Sequence, residues 1–461
     1  MKGWGCMVGR KKELSFLNEQ YNAGANSLVI LYGRQGTGKT TLINEFLKDK
    51  SHIYYLAKEC QTTEQQFLMK EELEKSTGAE INGVEFADII KDSLNSFSGA
   101  DKVVVVIDEI YNELKQGPAL RDAIADVLEN YEDKSVMFIL TSSSVWWVEN
   151  HMVKDLGKLA MSITAFNKLS GLDFVDIVNR FESLSSRQCV YIYGILGGVP
   201  GYVDMWKDKS SVKSNIINLF LDKNGLFYRE PERFLKSELR ELSFYNTILA
   251  NLAAGRVKLN ELHARTGFSR AKISVYIKNL IQLDIVEKRF SSDEGDYSRT
   301  QKGVYCIKDP FMHFWYKFVF PNTGLLEMGH TEYVYDNIIE PQLSDYMHPY
   351  FVKVCKEYLN LMNQYKRLPV NYEICESWNG KEHNIDIIAK DIETGELIAG
   401  MCKWSDEPYS DDDFAAMIEK LEYAKIDCEY YYLFSKSGFR EDFEISCKQI
   451  NNVILIDLNS L

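Results

Sequence analysis

The segment Gly33-Arg-Gln-Gly-Thr-Gly-Lys-Thr40 constrains the fold of this chain more than any other feature. It has the spacing GxxxxGK[ST], directly follows the apolar run Ser27–Tyr32 and precedes a helical pattern from Thr41 to Asp49. That strand–loop–helix context is what a phosphate-binding loop requires. Its glycines let the backbone approach phosphates, and the N–H groups converge at a helix N-terminus, where anions are favoured. Gly33, Gly36, Thr37, Gly38, Lys39, Thr40 and Thr41 are therefore the expected nucleotide contacts. Lys39 would bridge the β- and γ-phosphates of ATP, and the Thr40 hydroxyl would bind Mg²⁺. The bland alternative is a plain glycine turn.

A second element fits the first. Val103–Ile107 delivers Asp108 and Glu109 to a strand end, where Asp108 would hold Mg²⁺ through water and Glu109 would polarise the attacking water. The next apolar run, Val136–Leu140, ends in Thr141-Ser-Ser-Ser144. Hydroxyls there are suited either to sensing the γ-phosphate or to capping a helix. Together with His52–Leu56, these continuous apolar runs predict parallel strands covered on both faces by helices, a doubly wound α/β sheet. From about Phe166 the pattern turns helical and stays so to about Ser237.

A chain of 461 residues exceeds one ordinary core, so several domains are expected. The net charge of −14 argues against a chain that coats nucleic acid non-specifically, although one basic face would suffice for local contact. The nine cysteines form no CxxC pair, and the seven histidines show no metal-ligand spacing. Neither a signal peptide nor a membrane-spanning apolar run is visible, so a cytoplasmic protein with reduced thiols is expected.

Beyond the loop, Met7-Val-Gly-Arg-Lys-Lys-Glu-Leu14 resembles the GRxxEL box that opens the archaeal-type ATPases of the STAND branch of the AAA+ superfamily. The phosphate loop, the Asp108-Glu109 strand, the Ser143-Ser144 position and Gly197-Gly-Val-Pro200 follow in that family's order. The resemblance covers roughly residues 1–235. It implies Arg10 near the adenine, Ser143 at the γ-phosphate side and Pro200 shaping a lid; the alternative for Gly197–Pro200 is an inter-helix turn. Tightly held ADP also becomes plausible. One departure stands out: where family members often carry Gly-Arg-Arg, this chain has Gly157-Lys-Leu159. Lys158 offers charge without the planar fork of arginine, so nucleotide binding is better supported than fast hydrolysis.

Residues 244 to 290 have the pattern of a winged helix-turn-helix. A first helix carries Ile248, Leu249 and Leu252, and a second begins at Leu259. The turn is Thr266-Gly-Phe-Ser269, and a recognition-type helix runs from Ala271 to Leu283. Gly267 suits the tight turn and Ser269 the N-cap. Ile285–Phe290 and Val304–Ile307 would form the wing. Arg270, Lys272 and Lys278 are the candidate DNA contacts, against a structural or protein-docking role. The aromatic run from Phe311 to Phe320 is expected to be a packing helix.

From about Tyr346 a second α/β pattern begins, with strands expected near Val370–Cys375, Ile385–Ala389, Leu397–Cys402 and Tyr430–Phe434. It resembles the domain that often follows these ATPases, itself similar to a PD-(D/E)xK nuclease. Asp386 and Lys403 occupy that motif's places. Its other acids are replaced by Val352 and Met401, and a thioether is no ligand for hard Mg²⁺. Glu373 and Glu396 are possible substitutes. A decayed nuclease site is expected, with a structural ion pair as the plain alternative for Asp386 and Lys403. Asp411-Asp-Asp413 precedes a helix and is assigned no chemistry beyond its fit to the helix dipole.

The resulting architecture is a P-loop ATPase core (1–165), a helical lid (166–236), a winged helix-turn-helix (237–310), a helical connector (311–345) and a restriction-endonuclease-like α/β domain (346–461). The leading functional expectation is an ATP- and Mg²⁺-dependent conformational switch with slow ATPase activity. The alternatives are an ATP-regulated nuclease and a nucleotide-sensing DNA-binding regulator; a protein partner is equally open.

Overall fold

The computed structural model describes residues 9–290, 303–380 and 383–461, so Met7 and Val8 of the opening box lie outside the described residues. The chain divides into two compact units. One comprises the described residues up to Leu172 together with Val199–Tyr202; the other comprises Asp173–Gly198 and Val203–Leu461.

The first unit is built on a five-stranded parallel sheet in the order β2-β3-β4-β1-β5. Its strands are β1 (Ser27–Tyr32), β2 (His52–Leu56), β3 (Lys102–Asp108), β4 (Ser135–Ser142) and β5 (Ile163–Lys168). Every residue of β3 is buried, as expected of a central parallel strand covered on both faces. Alternate side chains enter two cores. Val103, Val105 and Ile107 meet Ile89, Leu94 and Ile124 on one face, while Val104 and Val106 meet Leu42, Ile43 and Phe46 on the other. The second group belongs to the helix Lys39–Leu47, so the helix that follows the glycine loop is clamped to the sheet by its own apolar stripe.

The expected onset of helices at Phe166 needs correction, because Phe166 lies inside β5. Among the described residues this strand pairs only with β1, and it carries a register irregularity at Leu28. It is an edge strand with an alternating, half-buried pattern, unlike the apolar runs of its neighbours.

In the second unit, helices Leu242–Ala253, Leu259–Thr266 and Arg270–Gln282 precede a two-stranded antiparallel sheet of β6 (Val286–Phe290) and β7 (Gly303–Ile307). Gly267 ends the middle helix at φ 71°, and the Ser269 side chain caps the next by accepting from the Lys272 N–H. The aromatic run is helical: Phe311, Phe314, Trp315 and Phe318 are fully buried, and the Trp315 indole donates to the Tyr228 carbonyl at 2.9 Å.

After the long helix Glu340–Gln364 comes a five-stranded sheet in the order β12-β11-β10-β9-β8. Its strands are β8 (Cys375–Asn379), β9 (Asn384–Lys390), β10 (Leu397–Lys403), β11 (Tyr430–Ser435) and β12 (Val453–Asp457). The first three are antiparallel neighbours, and β10, β11 and β12 run parallel. The strand expected at Val370–Cys375 instead begins at Cys375, and β12 is an addition to the sequence reading.

Candidate functional site

The loop Gly33–Gly38 leaves the C-terminal end of β1 and enters the helix Lys39–Leu47. Gly36 and Gly38 adopt φ 83° and 90°, which only glycine takes at low cost. Gly33 is required by space, since a Cβ there would lie 2.5 Å from the Leu169 carbonyl oxygen. The loop thereby turns its backbone into a concave nest at a helix N-terminus, suited to an anion. Thr37 is buried and donates its hydroxyl to the Arg34 carbonyl at 2.8 Å, Thr40 is exposed at the mouth, and Thr41 is half-buried on the next helical position.

Lys39 is buried, and its ammonium donates to the Gly33 carbonyl at 2.8 Å and to the Ser143 hydroxyl at 2.7 Å. Ser143 in turn donates its hydroxyl and its N–H to the two carboxylate oxygens of Glu109. Lys39, Ser143 and Glu109 thus form one continuous chain of hydrogen bonds between β1's loop and the ends of β3 and β4. Asp108 lies one residue earlier. Its Oδ2 is 3.4 Å from the Thr40 hydroxyl, and its Oδ1 accepts from the Thr141 hydroxyl. A hydroxyl and a carboxylate oxygen facing each other at the mouth of an anion nest form a hard-oxygen donor set that fits Mg²⁺. The expected ligands Thr40 and Asp108 are therefore brought together.

The four hydroxyl residues after β4 divide their roles. Thr141 steadies Asp108, Ser143 joins Lys39 to Glu109, and Ser144 caps the helix Val145–Asn150 by accepting from the Trp147 N–H. The capping alternative thus falls to Ser144, while Ser143 faces Lys39 and Glu109.

Arg10 is held by the loop itself. Its guanidinium donates to the Thr37 carbonyl at 3.1 Å and the Ser170 carbonyl at 2.5 Å, and pairs with Glu13 at 2.9 Å. Pro200 is near the loop as well: the Gly201 N–H donates to the Gly36 carbonyl at 3.0 Å, and a Cβ on Gly38 would lie 3.9 Å from the Pro200 ring. Lys158 is exposed.

The sequence reading passed over two residues near this site. Tyr54 of β2 donates its hydroxyl to Asp108 Oδ2; burial, with help from that carboxylate, pushes its phenol above the ordinary range. Glu113 is fully buried, and Oε1 accepts from the Thr62 hydroxyl at 2.9 Å. Its Oε2 has no hydrogen-bond partner among the described residues, and burial raises its carboxyl above the ordinary value. An acid that holds its proton more tightly when folded loses stability as pH rises from its unfolded pKa through its folded one. Glu113→Gln is therefore expected to flatten the stability profile as pH rises above the ordinary carboxyl range, gaining on the wild type as pH climbs. Parallel thermal profiles for the two proteins would refute this.

In the second unit Asp386 and Lys403 do not pair with each other. Asp386 accepts from the Cys402 N–H at 2.9 Å and faces His348 at 3.4 Å; that carboxylate raises the His348 imidazole, against the opposing effect of burial. Lys403 pairs with Asp413 at 2.6 Å, and Asp413 also caps its helix through Ser410. The structural ion-pair alternative for Asp386 and Lys403 is corrected accordingly: each has a separate partner. Glu396 sits in the turn before β10, with its carbonyl on the Asp391 N–H. Glu373 precedes β8. Both lie at the opposite end of these strands from Asp386, so neither stands in for a missing acid.

On the helix Arg270–Gln282, Arg270 and Lys278 are exposed, and Arg270 donates to Asn260 at 2.8 Å. Lys272 differs. Its ammonium lies 3.3 Å from the centroid of the Phe244 ring, with Phe268 and Tyr276 close by, so part of its charge is already engaged.

A parallel sheet, a glycine nest at a helix N-terminus and a strand-end Asp-Glu pair together have the geometry of a P-loop nucleotide site. Residues 7–206 match the family described as an ATPase domain predominantly from Archaea. Residues 315–417 match a family described as Archaea bacterial proteins of unknown function. An uncharacterized protein of Methanocaldococcus jannaschii is 27% identical over 409 residues, covering 87% of this chain and 88% of its own length. An uncharacterized ATP-binding protein of the same organism is 48% identical over 50 residues, 11% of this chain and 85% of that protein. Among solved structures, a Walker-type ATPase of Pyrococcus abyssi is similar at 16% identity and a TM-score of 0.49, covering 68% of this chain and 96% of that one. Among the described residues, no helix is long and apolar enough to cross a membrane.

Proposed function

We propose that this chain binds ATP with Mg²⁺ at the Gly33–Thr41 loop and hydrolyses it slowly, as a nucleotide-driven conformational switch. The observation that carries this reading is the hydrogen-bond chain from Lys39 through Ser143 to Glu109. It links the residue suited to grip a γ-phosphate with the residue suited to orient the attacking water. A γ-phosphate that drew Lys39 and Ser143 toward itself would alter the partners of Glu109, so the state of the nucleotide would be felt at the ends of β3 and β4. Lys158, without the fork of an arginine, fits slow turnover.

For the second unit we read residues 237–310 as a winged helix-turn-helix and 346–461 as a nuclease-like domain with a decayed site. The order helix, three strands, helix, strand from Glu340 to Ser435 supports the latter fold. The separate partners of Asp386 and Lys403 support its decay. Arg270 and Lys278 keep DNA contact open as a secondary reading, with Lys272 a weaker candidate.

The test is ATP hydrolysis by the purified protein with Mg²⁺, with and without duplex DNA, while the DNA is monitored for cuts. Mg²⁺-dependent turnover with intact DNA is the expected result. Absence of turnover under all conditions would remove the ATPase, and cleaved DNA would restore the nuclease.

A further inference from the structure

The partners of Asp108 carry an inference that rests on the metal site just proposed and deepens it. Strand β2 lies beside β3 in parallel register, with Tyr54 opposite Val106 and Leu56 opposite Asp108. The Tyr54 ring is half-buried against the core that holds Leu42, Ile43 and Phe46 of the loop's helix and Val104 and Val106 of β3. Its anchorage is therefore apolar, and its hydroxyl alone reaches the site. That hydroxyl donates to Asp108 Oδ2, the same oxygen that the Thr40 hydroxyl approaches at 3.4 Å. The other oxygen is taken by Thr141.

A carboxylate offers about four lone-pair sites. With Thr141 on one oxygen and Tyr54, joined at longer range by Thr40, on the other, Asp108 has lost its freedom to rotate, and its remaining lone pairs are fixed in direction. We propose that Tyr54 is a positioning residue that aims Asp108 at the Mg²⁺ of a bound nucleotide, and so sets the strength of metal binding without touching the nucleotide. Such outer partners orient metal ligands in advance, and their loss typically weakens metal binding by 10- to 100-fold. Tyr54 is distinct in kind from the loop residues: its loss leaves the phosphate nest whole and loosens only one wall of the metal's coordination.

The experiment compares wild type with Tyr54→Phe, which keeps the anchored ring and removes only the hydroxyl. Binding of a fluorescent ADP analogue is measured in EDTA and then across an Mg²⁺ titration, with thermal midpoints confirming both folds. The expected result is equal affinity in EDTA, with the Mg²⁺ concentration for half-maximal tightening raised about tenfold in the variant. Superimposable Mg²⁺ titrations would overturn the role of Tyr54 while leaving the metal site standing. A lower Mg²⁺ requirement would also overturn it, because the hydroxyl would then be competing with the metal. A wild type whose nucleotide affinity ignores Mg²⁺ would instead remove the Thr40–Asp108 metal site, and the role of Tyr54 with it.

Discussion

Replacing Lys39 by alanine is expected to lower nucleotide affinity by at least about 100-fold. Hydrogen bonds to charged groups contribute about 1.5–3 kcal/mol each, and a lysine spanning two phosphates would lose two of them, where each 1.4 kcal/mol is tenfold. Lys39 is buried with its ammonium on the Gly33 carbonyl and Ser143, so the variant must first be shown to unfold at a temperature near that of the wild type. Titration with a fluorescent nucleotide then reads the loss directly. Unchanged affinity in a folded variant would mean that nucleotide does not bind at this loop.

Glu109→Gln is expected to separate binding from chemistry. A glutamine amide can accept the Ser143 N–H and donate to its hydroxyl, so the hydrogen bonds of the native carboxylate have counterparts in the variant. What it cannot do is take a proton or polarise water as an anion. A positioned general base typically contributes 10²–10⁴-fold, so turnover should fall by about that factor while affinity stays within about twofold. The two quantities are read by steady-state hydrolysis and by nucleotide titration. A variant that hydrolyses ATP at the wild-type rate would show that another residue handles the water.

The parts of the fold that the sequence made legible are those where one physical requirement dominates. A strand buried on both faces must be apolar throughout, and β1 and β3 are legible to within a residue for that reason; β2, at the other edge, is legible because its His-Ile-Tyr-Tyr-Leu run is rich in β-formers. Strand β5 is less legible because it is half covered at an edge and its Ile-Thr-Ala-Phe-Asn-Lys run mixes polar and small residues into a pattern that a helix can share. Strand β8 was displaced toward Val370 because Tyr372 and Val370 are buried outside any strand. The turn of the glycine loop into its helix is legible from spacing alone, since Gly36 and Gly38 take a backbone that only glycine adopts at low cost.

The second layer of the site was not legible. Tyr54 stands in an apolar strand, where a tyrosine looks like core; only the register of β2 against β3 sends its hydroxyl to Asp108. Thr141 and Ser143 read in sequence as one hydroxyl group, but which hydroxyl meets which carboxylate depends on how the ends of β3 and β4 are placed. The division of partners between Asp386 and Lys403 was hidden for a related reason. Asp413, which takes Lys403, reads in sequence as one of three acids at a helix start.

Glu109 holds its backbone at φ 54°, a conformation that costs an L-residue on the order of 1 kcal/mol or more. That geometry places its N–H on Thr141 and folds its carboxylate back to Ser143. Glycine would relax the turn and make the fold more robust, at the loss of the carboxylate proposed to act as the base. Selection for stability alone would therefore push position 109 toward glycine. On the proposed role of Glu109, the strain at this turn is what the fold gives up to place its base, and Glu109→Gly would be expected to hold nucleotide without consuming it.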